Sequence, residues 1–168
     1  MNFSVNLQCC DFLEYSTENK YDLFIIPSSS FLLITDNNKI SQCLNKLKEL
    51  CNTGAKIIIE IELKNNVHYK ETDDIRVKYR NSRVIIKTSI SKNLKPGNTI
   101  EYFLNYKLYE RNISIYMITE KMRKKYYVRN EFKKYIANAR LKIEDRYIDY
   151  RKTRYNKEKN GRVIFIIN

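Results

Sequence analysis

Histidine, metal-spaced cysteine and long apolar runs are scarce or missing in this 168-residue chain. Histidine occurs once, at His68, and the four cysteines, Cys9, Cys10, Cys43 and Cys51, form no C-x-x-C pair. A structural zinc site wants about four ligands at tight spacing, so no metal site is expected. The cysteines read instead as small buried hydrophobes. No stretch of about 18 uninterrupted apolar residues occurs, which speaks against a membrane-spanning helix. The start, MNFSVNLQCCDF, has no basic stretch and no long apolar run, unlike a secretion signal. A cytoplasmic location is the expectation that follows.

What is present suits one domain with a core of its own. Apolar residues make up 43% of the chain, within the globular range. The net charge is +13, and it is unevenly spread. Residues 1–60 hold five Lys/Arg and seven Asp/Glu, a net of −2, whereas residues 121–162 hold sixteen against five, a net of +11. Such asymmetry marks either an anion-binding face or a lysine-rich background composition.

Periodicity divides the chain into elements. Ser4 to Cys9 alternates weakly and reads as a strand. Tyr21 to Ile26, YDLFII, is a continuous apolar run of strand length, the mark of burial on both faces. From Asp36 to Cys51 the apolar residues Ile40, Cys43, Leu44, Leu47, Leu50 and Cys51 form a helical stripe. Thr35 or Asp36 is placed to cap its start, and Gly54 to supply the left-handed residue after its end. AKIIIEIEL is a second buried strand, parallel to the first across the helical crossover.

Residues 64–128 change character and read as an antiparallel β insertion. DIRVKYRNSRVIIKTSI alternates around Asn81-Ser82, a hairpin pattern, and SKNLKPGNT is a turn. IEYFLNYKLYERNISIYMITEKMRKKYYV is β-rich, with tyrosines recurring along it. Then RNEFKKYIANARL sets Phe132, Tyr135, Ile136 and Ala139 on one helical face. Leu141 to Tyr147 and the closing RVIFIIN read as an antiparallel hairpin beside the parallel pair. No repeat or second domain is apparent.

The ordered set of motifs resembles the class I S-adenosylmethionine-dependent methyltransferases of the small-molecule type. The residues that carry the resemblance are Asp11-Phe12, the apolar strand with its Pro27-Ser28-Ser29-Ser30 end, the capped helix, GAKIIIEIEL, the helix of YYVRNEFKKYIANARLKIEDRYIDY and the closing GRVIFIIN. It runs over residues 4–167 and implies an α/β fold, the C-terminal part of a Rossmann-like methyltransferase sheet with the antiparallel insertion. The resemblance implies S-adenosylmethionine as cofactor, with Asp11 and Phe12 at the adenine ring and Pro27, Ser28, Ser30 and Phe31 beside the methyl-transfer site. It also implies that Tyr102, Tyr106, Tyr109 and Tyr116 cover the pocket of a small-molecule acceptor, although alternating tyrosines are equally what an amphipathic strand carries.

Two departures qualify this resemblance. The family's Gly-rich loop after its first strand has no counterpart, since the three glycines are Gly54, Gly97 and Gly161. The chain is therefore expected to lack the N-terminal cofactor-binding part and to bind cofactor incompletely alone, with a complementing N-terminal chain or a homodimer as candidate partners. The glycine usual before the penultimate strand is also replaced, by Asn138-Ala139-Arg140. A second reading belongs to another class: a noncatalytic module that uses a basic C-terminal face for RNA or a protein partner. Arg123, Lys124, Lys125, Arg129, Lys133 and Lys134 would supply its phosphate contacts. Pairing of residues 4–9 with 21–27 is the expected fate of the otherwise bare strand edge.

Overall fold

The computed structural model describes residues 4–63, 75–79, 82–90, 98–110, 113–128, 130–155 and 161–168. The described residues form two four-stranded sheets and two helices. Strand β1 (Tyr21–Ile26) leads through a short 3-10 turn (Ser30–Leu33) to helix α1 (Asn37–Leu50) and strand β2 (Cys51–Glu62). Strands β3 (Ile75–Tyr79), β4 (Ser82–Ile90), β5 (Thr99–Glu110) and β6 (Ile113–Lys125) then form an antiparallel sheet in chain order. Helix α2 (Glu131–Asn138) and strands β7 (Ile143–Tyr147) and β8 (Arg162–Ile167) return to the first sheet, whose order is β1-β2-β8-β7.

The apolar runs dictate this arrangement. β1 and β2 pair in parallel, with Phe24 opposite Ile57 and Ile26 opposite Ile59, and β7 and β8 continue antiparallel as the hairpin pattern predicts. Ile40, Cys43, Leu44, Leu47 and Leu50 of the stripe are buried on α1, whereas Cys51 is half-buried and begins β2, and Asp36 caps the helix by accepting from the Lys39 N–H at 2.8 Å. Ile57, Ile59 and Ile61 of β2 and Val163, Phe165 and Ile167 of β8 face the helices and are almost fully buried. Phe132 of α2 sits at their centre, with edge contacts to Phe31 at 5.4 Å and Phe165 at 5.3 Å between ring centres.

Several expectations fail locally. Residues 4–9 form no strand; Val5 and Leu7 are 73% and 88% exposed. Leu23 and Ile25 on β1 stay half exposed as a result. The pairing with 21–27 is consequently absent, and β1 is an edge strand. Gly54 does not cap α1, because the helix passes directly into β2 at Cys51; the glycine sits within β2 at φ 82°, where the register with β1 shifts. Cys9 and Cys10 are exposed, and only Cys43 is fully buried. The turn residues 91–97 and Asn81 lie outside the described residues.

Within Asn138-Ala139-Arg140, Arg140 adopts φ 56°. The Arg140 N–H bonds to Ala137 O at 2.9 Å and the Leu141 N–H to Ile136 O at 3.1 Å, the double bond of a Schellman ending for α2. The helix therefore ends as a glycine would end it, with an arginine in the left-handed position.

Candidate functional site

The carboxyl end of β1 is where the chain departs most from relaxed geometry. After Pro27, Ser28 and Ser29 adopt φ 55° and 56°, two consecutive left-handed residues with side chains. The reversal drives Phe31 and Leu32 into the core, 1% and 0% exposed. Hydrogen bonds hold it. Ser30 Oγ donates to Pro27 O at 2.8 Å. The Ser29 hydroxyl is buried against β2, 3.2 Å from Glu60 Oε1 and 3.1 Å from Glu62 Oε1. With one proton to give, it serves one carboxylate at a time. Glu60 is 2% exposed and receives a further bond from Tyr150 at 2.7 Å and an ion pair from Arg162 at 3.3 Å. Sequence reading missed this Ser29–Glu60–Tyr150 brace; alternation at Glu60-Ile61-Glu62 is the one signal that two carboxylates share a sheet face there.

Beside this reversal lies an apolar cleft of about 330 Å³. Phe12, Phe24, Ile26, Phe31 and Ile34 line it, with Ser30 at its polar edge and Cys43 and Leu47 at its floor. Of the six residues assigned to the cofactor, the structure thus brings Phe12, Ser30 and Phe31 together. Pro27 and Ser28 shape the loop without lining the cleft. Asp11 is exposed and turns the chain: its Oδ1 accepts from the Leu13 N–H at 2.9 Å, and its carbonyl from Glu14 and Tyr15. Lys46 anchors that turn by donating to Leu13 O at 2.6 Å. Burial pushes the Cys43 thiol up to about 12, with the nearby Asp11 charge adding to the shift, so this sulfur is no nucleophile at neutral pH.

The antiparallel sheet distributes the four tyrosines over both of its faces. Tyr102 and Tyr106 alternate on one face of β5, and Tyr116 joins them as the cross-strand partner of Leu108. Tyr109 falls on the opposite face. The shared face begins at Ile100, fully buried, and Tyr102 reaches the core, where its hydroxyl bonds that of Tyr126. Tyr106 donates to Glu120 at 3.1 Å, and desolvation together with that bond raises its pKa. Tyr116 is 59% exposed.

The basic residues do not gather into one face. Lys125 is 1% exposed and turned inward, paired with Glu131 at 2.9 Å, donating to Asn37 at 2.5 Å and lying over the rings of Tyr127 and Tyr135. It ties β6 to both helices and cannot contact a polyanion. Arg123 pairs with the buried Glu101 at 2.8 Å, and Lys124 lies over the Tyr102 ring. Lys133 is half-buried and Lys134 exposed; Arg129 lies outside the described residues. Among the described residues no group of His, Cys, Asp and Glu is arranged to hold a metal, and no helix is long and apolar enough to cross a membrane.

No family model and no curated protein matches the sequence, but solved structures match the fold. An S-adenosylmethionine-dependent methyltransferase from Clostridium acetobutylicum superposes with a TM-score of 0.74 at 14% identity, covering 96% of this chain and 63% of its own. The chain has a class I methyltransferase-like fold. The sugar N-methyltransferase KedS8 from a Streptoalloteichus species matches at TM-score 0.73 and 9% identity, over 94% of this chain and 60% of its own. CalS10, an amino pentose methyltransferase from Micromonospora echinaspora, gives 0.72 and 9%, over 94% and 62%. The chain spans about 60% of the length of these methyltransferases. In this methyltransferase-like sheet, the apolar cleft and the braced serine loop occupy the carboxyl end of a parallel strand, where open α/β sheets receive ligands.

Proposed function

We propose that the chain forms the adenine-binding and acceptor-facing part of a small-molecule methyltransferase that uses S-adenosylmethionine. The observation that carries this reading is the cleft at the end of β1, apolar on its walls and bordered by Phe12, Ser30 and Phe31. A flat heteroaromatic ring suits such walls, and 330 Å³ accommodates it with room to spare. The residues fit the adenine end of the cofactor. When bound, S-adenosylmethionine supplies an electrophilic methyl group. This chain's residues do the positioning: Phe12 borders the ring, Phe31 backs the loop from the core, and the Ser29 brace keeps the loop from yielding. Tyr102 and Tyr106, on a sheet face continuous with the core, border the acceptor's approach.

An amine acceptor fits best. Its lone pair attacks without a general base, so the protein's task reduces to alignment and exclusion of water. The N-methyltransferase and amino pentose methyltransferase among the similar structures support that class. Several charge-assisted bonds, worth about 1.5–3 kcal/mol each, ordinarily hold a ligand's carboxylate and ribose. The cleft offers none, so the chain alone should bind S-adenosylmethionine in the millimolar range.

The test is titration of the full chain with adenosine, followed by NMR. Adenosine should perturb the Phe12, Phe24 and Ile34 signals, and Phe12→Ala should weaken binding about tenfold. Saturation with adenosine that leaves the cleft signals unmoved would overturn the reading. Micromolar binding of S-adenosylmethionine would show that the chain needs no further groups for the methionine end.

A further inference from the structure

A second concavity, of about 440 Å³, lies between α2 and the edge strand β7. Lys133, Arg146, Arg154 and Tyr155 line it, with Glu144 and Asp145. Its construction follows from the register. Arg146 pairs with Phe165, so its side chain leaves the sheet on the helix side, toward the α2 face that carries Lys133. The chain then folds back, with Arg154 bridging Tyr147 and the Tyr155 N–H reaching Arg146 O at 3.4 Å. The Arg146 guanidinium lies over the Tyr155 ring, 5.2 Å from its centre.

Part of the charge in this groove is answered within it: the Tyr147 hydroxyl and the Arg146 N–H, with the nearby Arg154 and Arg146 charges, hold the Asp145 carboxyl below its usual range. Among the described residues neither the Arg146 nor the Arg154 guanidinium takes part in an ion pair or a side-chain hydrogen bond. The two carboxylates at the rim are occupied. Glu144 pairs with Lys56 at 2.5 Å, and Asp145 accepts from the Tyr147 hydroxyl and from the Arg146 N–H at 2.8 Å. Two forked donors with unused capacity, a lysine and an aromatic face thus converge on one ligand-sized space.

We propose that this groove binds a phosphate group carried on a planar ring, that is, a nucleotide, free or within a strand. Guanidinium forks match phosphate oxygens in pairs, which a surface lysine does not. Tyr155, steadied by Arg146, offers a stacking surface to a base. The net +11 of residues 121–162 keeps the approach electropositive. The site is independent of the apolar cleft. The two lie at opposite edges of the sheet β1-β2-β8-β7, roughly 14 Å apart at about 4.8 Å per strand, so either reading stands or falls without the other.

The experiment uses the full chain with three probes, inorganic phosphate, AMP and a ten-residue oligouridylate, titrated at 50 mM salt. AMP should bind at least about tenfold more tightly than phosphate. Arg146→Gln and Arg154→Gln should each weaken all three probes about tenfold. Tyr155→Leu should weaken AMP and leave phosphate unchanged, and Lys134→Gln, outside the groove, should change nothing. Thermal melts establish that the variants are folded, and the exposed Arg154 is the safest of them. Oligouridylate binding tighter than AMP, with a log–log salt slope near about −2 for three contacts, assigns the phosphate to a strand; equal affinity assigns it to free nucleotide. The proposal is overturned if wild-type chain binds no AMP at millimolar concentration. It is likewise overturned if the arginine variants bind like wild type, or if Lys134→Gln costs as much as they do, which would make the binding a diffuse effect of net charge.

Discussion

Arg140 shows how a single residue records a local conflict. Its position at the end of α2 demands a left-handed backbone, which a side chain disfavours by about 1 kcal/mol and glycine adopts freely. Its carbonyl, with that of Ala139, accepts from Lys48 across to α1 at 3.3–3.4 Å, an interaction that needs no Arg140 side chain. Arg140→Gly should therefore stabilise the chain by about 0.5–1 kcal/mol, a rise of about 1–4 °C in Tm for a chain of this size. A melting curve checks it, and a fall in Tm would mean that the guanidinium makes a contribution larger than the backbone strain. The site residues divide along similar lines. Phe31 was legible because an apolar residue after three serines has to point somewhere, and the core is the place. Lys125 was not legible as a buried residue. Nothing in a run of basic residues distinguishes the one that Glu131, Asn37 and two tyrosine rings will surround, because Asn37 comes from α1 and Glu131 and Tyr135 from α2.

Elements with a strong period were readable, and elements whose fate depends on a neighbour were not. The α1 stripe and the β1 and β2 runs carry their burial in the order of their own residues, so helix, crossover and parallel pairing followed. Residues 4–9 alternate as a strand does, yet a strand forms only where pairing and burial together offset the loss of chain entropy. For this segment they do not: Val5 and Leu7 stay exposed, and so do Leu23 and Ile25 on the edge strand β1. The apolar cleft was readable in part for the same reason: Ser30 and Phe31 belong to the element that builds it, whereas Cys43 and Leu47 come from a helix whose inner face could have met any sheet. Hydrogen exchange tests the edge directly. In a parallel edge strand alternate amides point to the neighbour and away from it. Along Tyr21–Ile26, every second amide should exchange at a rate close to that of the open chain while the others are protected by β2. Uniform protection of all six would mean that something covers the edge in solution.

Charge acts on the molecule as a whole. Sixteen basic and five acidic residues within 121–162 set like charges close together across β6, α2, β7 and β8, and the chain as a whole carries +13. Some of this charge is answered locally, by Lys125–Glu131, Arg162–Glu60 and the Glu101 that Lys121 and Arg123 share, but the basic residues outnumber the carboxylates. The balance left over is repulsive, and unfolding relieves it by letting the charges move apart. Added salt screens that repulsion with a decay length of about 10 Å at 0.1 M, comparable to the spacing of neighbouring elements. It screens the buried Lys125–Glu131 pair far less, because Lys125 is out of water. Tm should therefore rise on going from 10 to 300 mM sodium chloride, by about 2–4 °C if screening removes some 1 kcal/mol of repulsion. Sodium sulfate at equal ionic strength should raise it further, partly by its general exclusion from the surface and partly by filling an anion site, and Arg146→Gln with Arg154→Gln should reduce that extra rise while leaving the chloride effect. A Tm that falls with chloride would show that the ion pairs outweigh the repulsion, and that the basic third is held together by its charge more than it is strained by it.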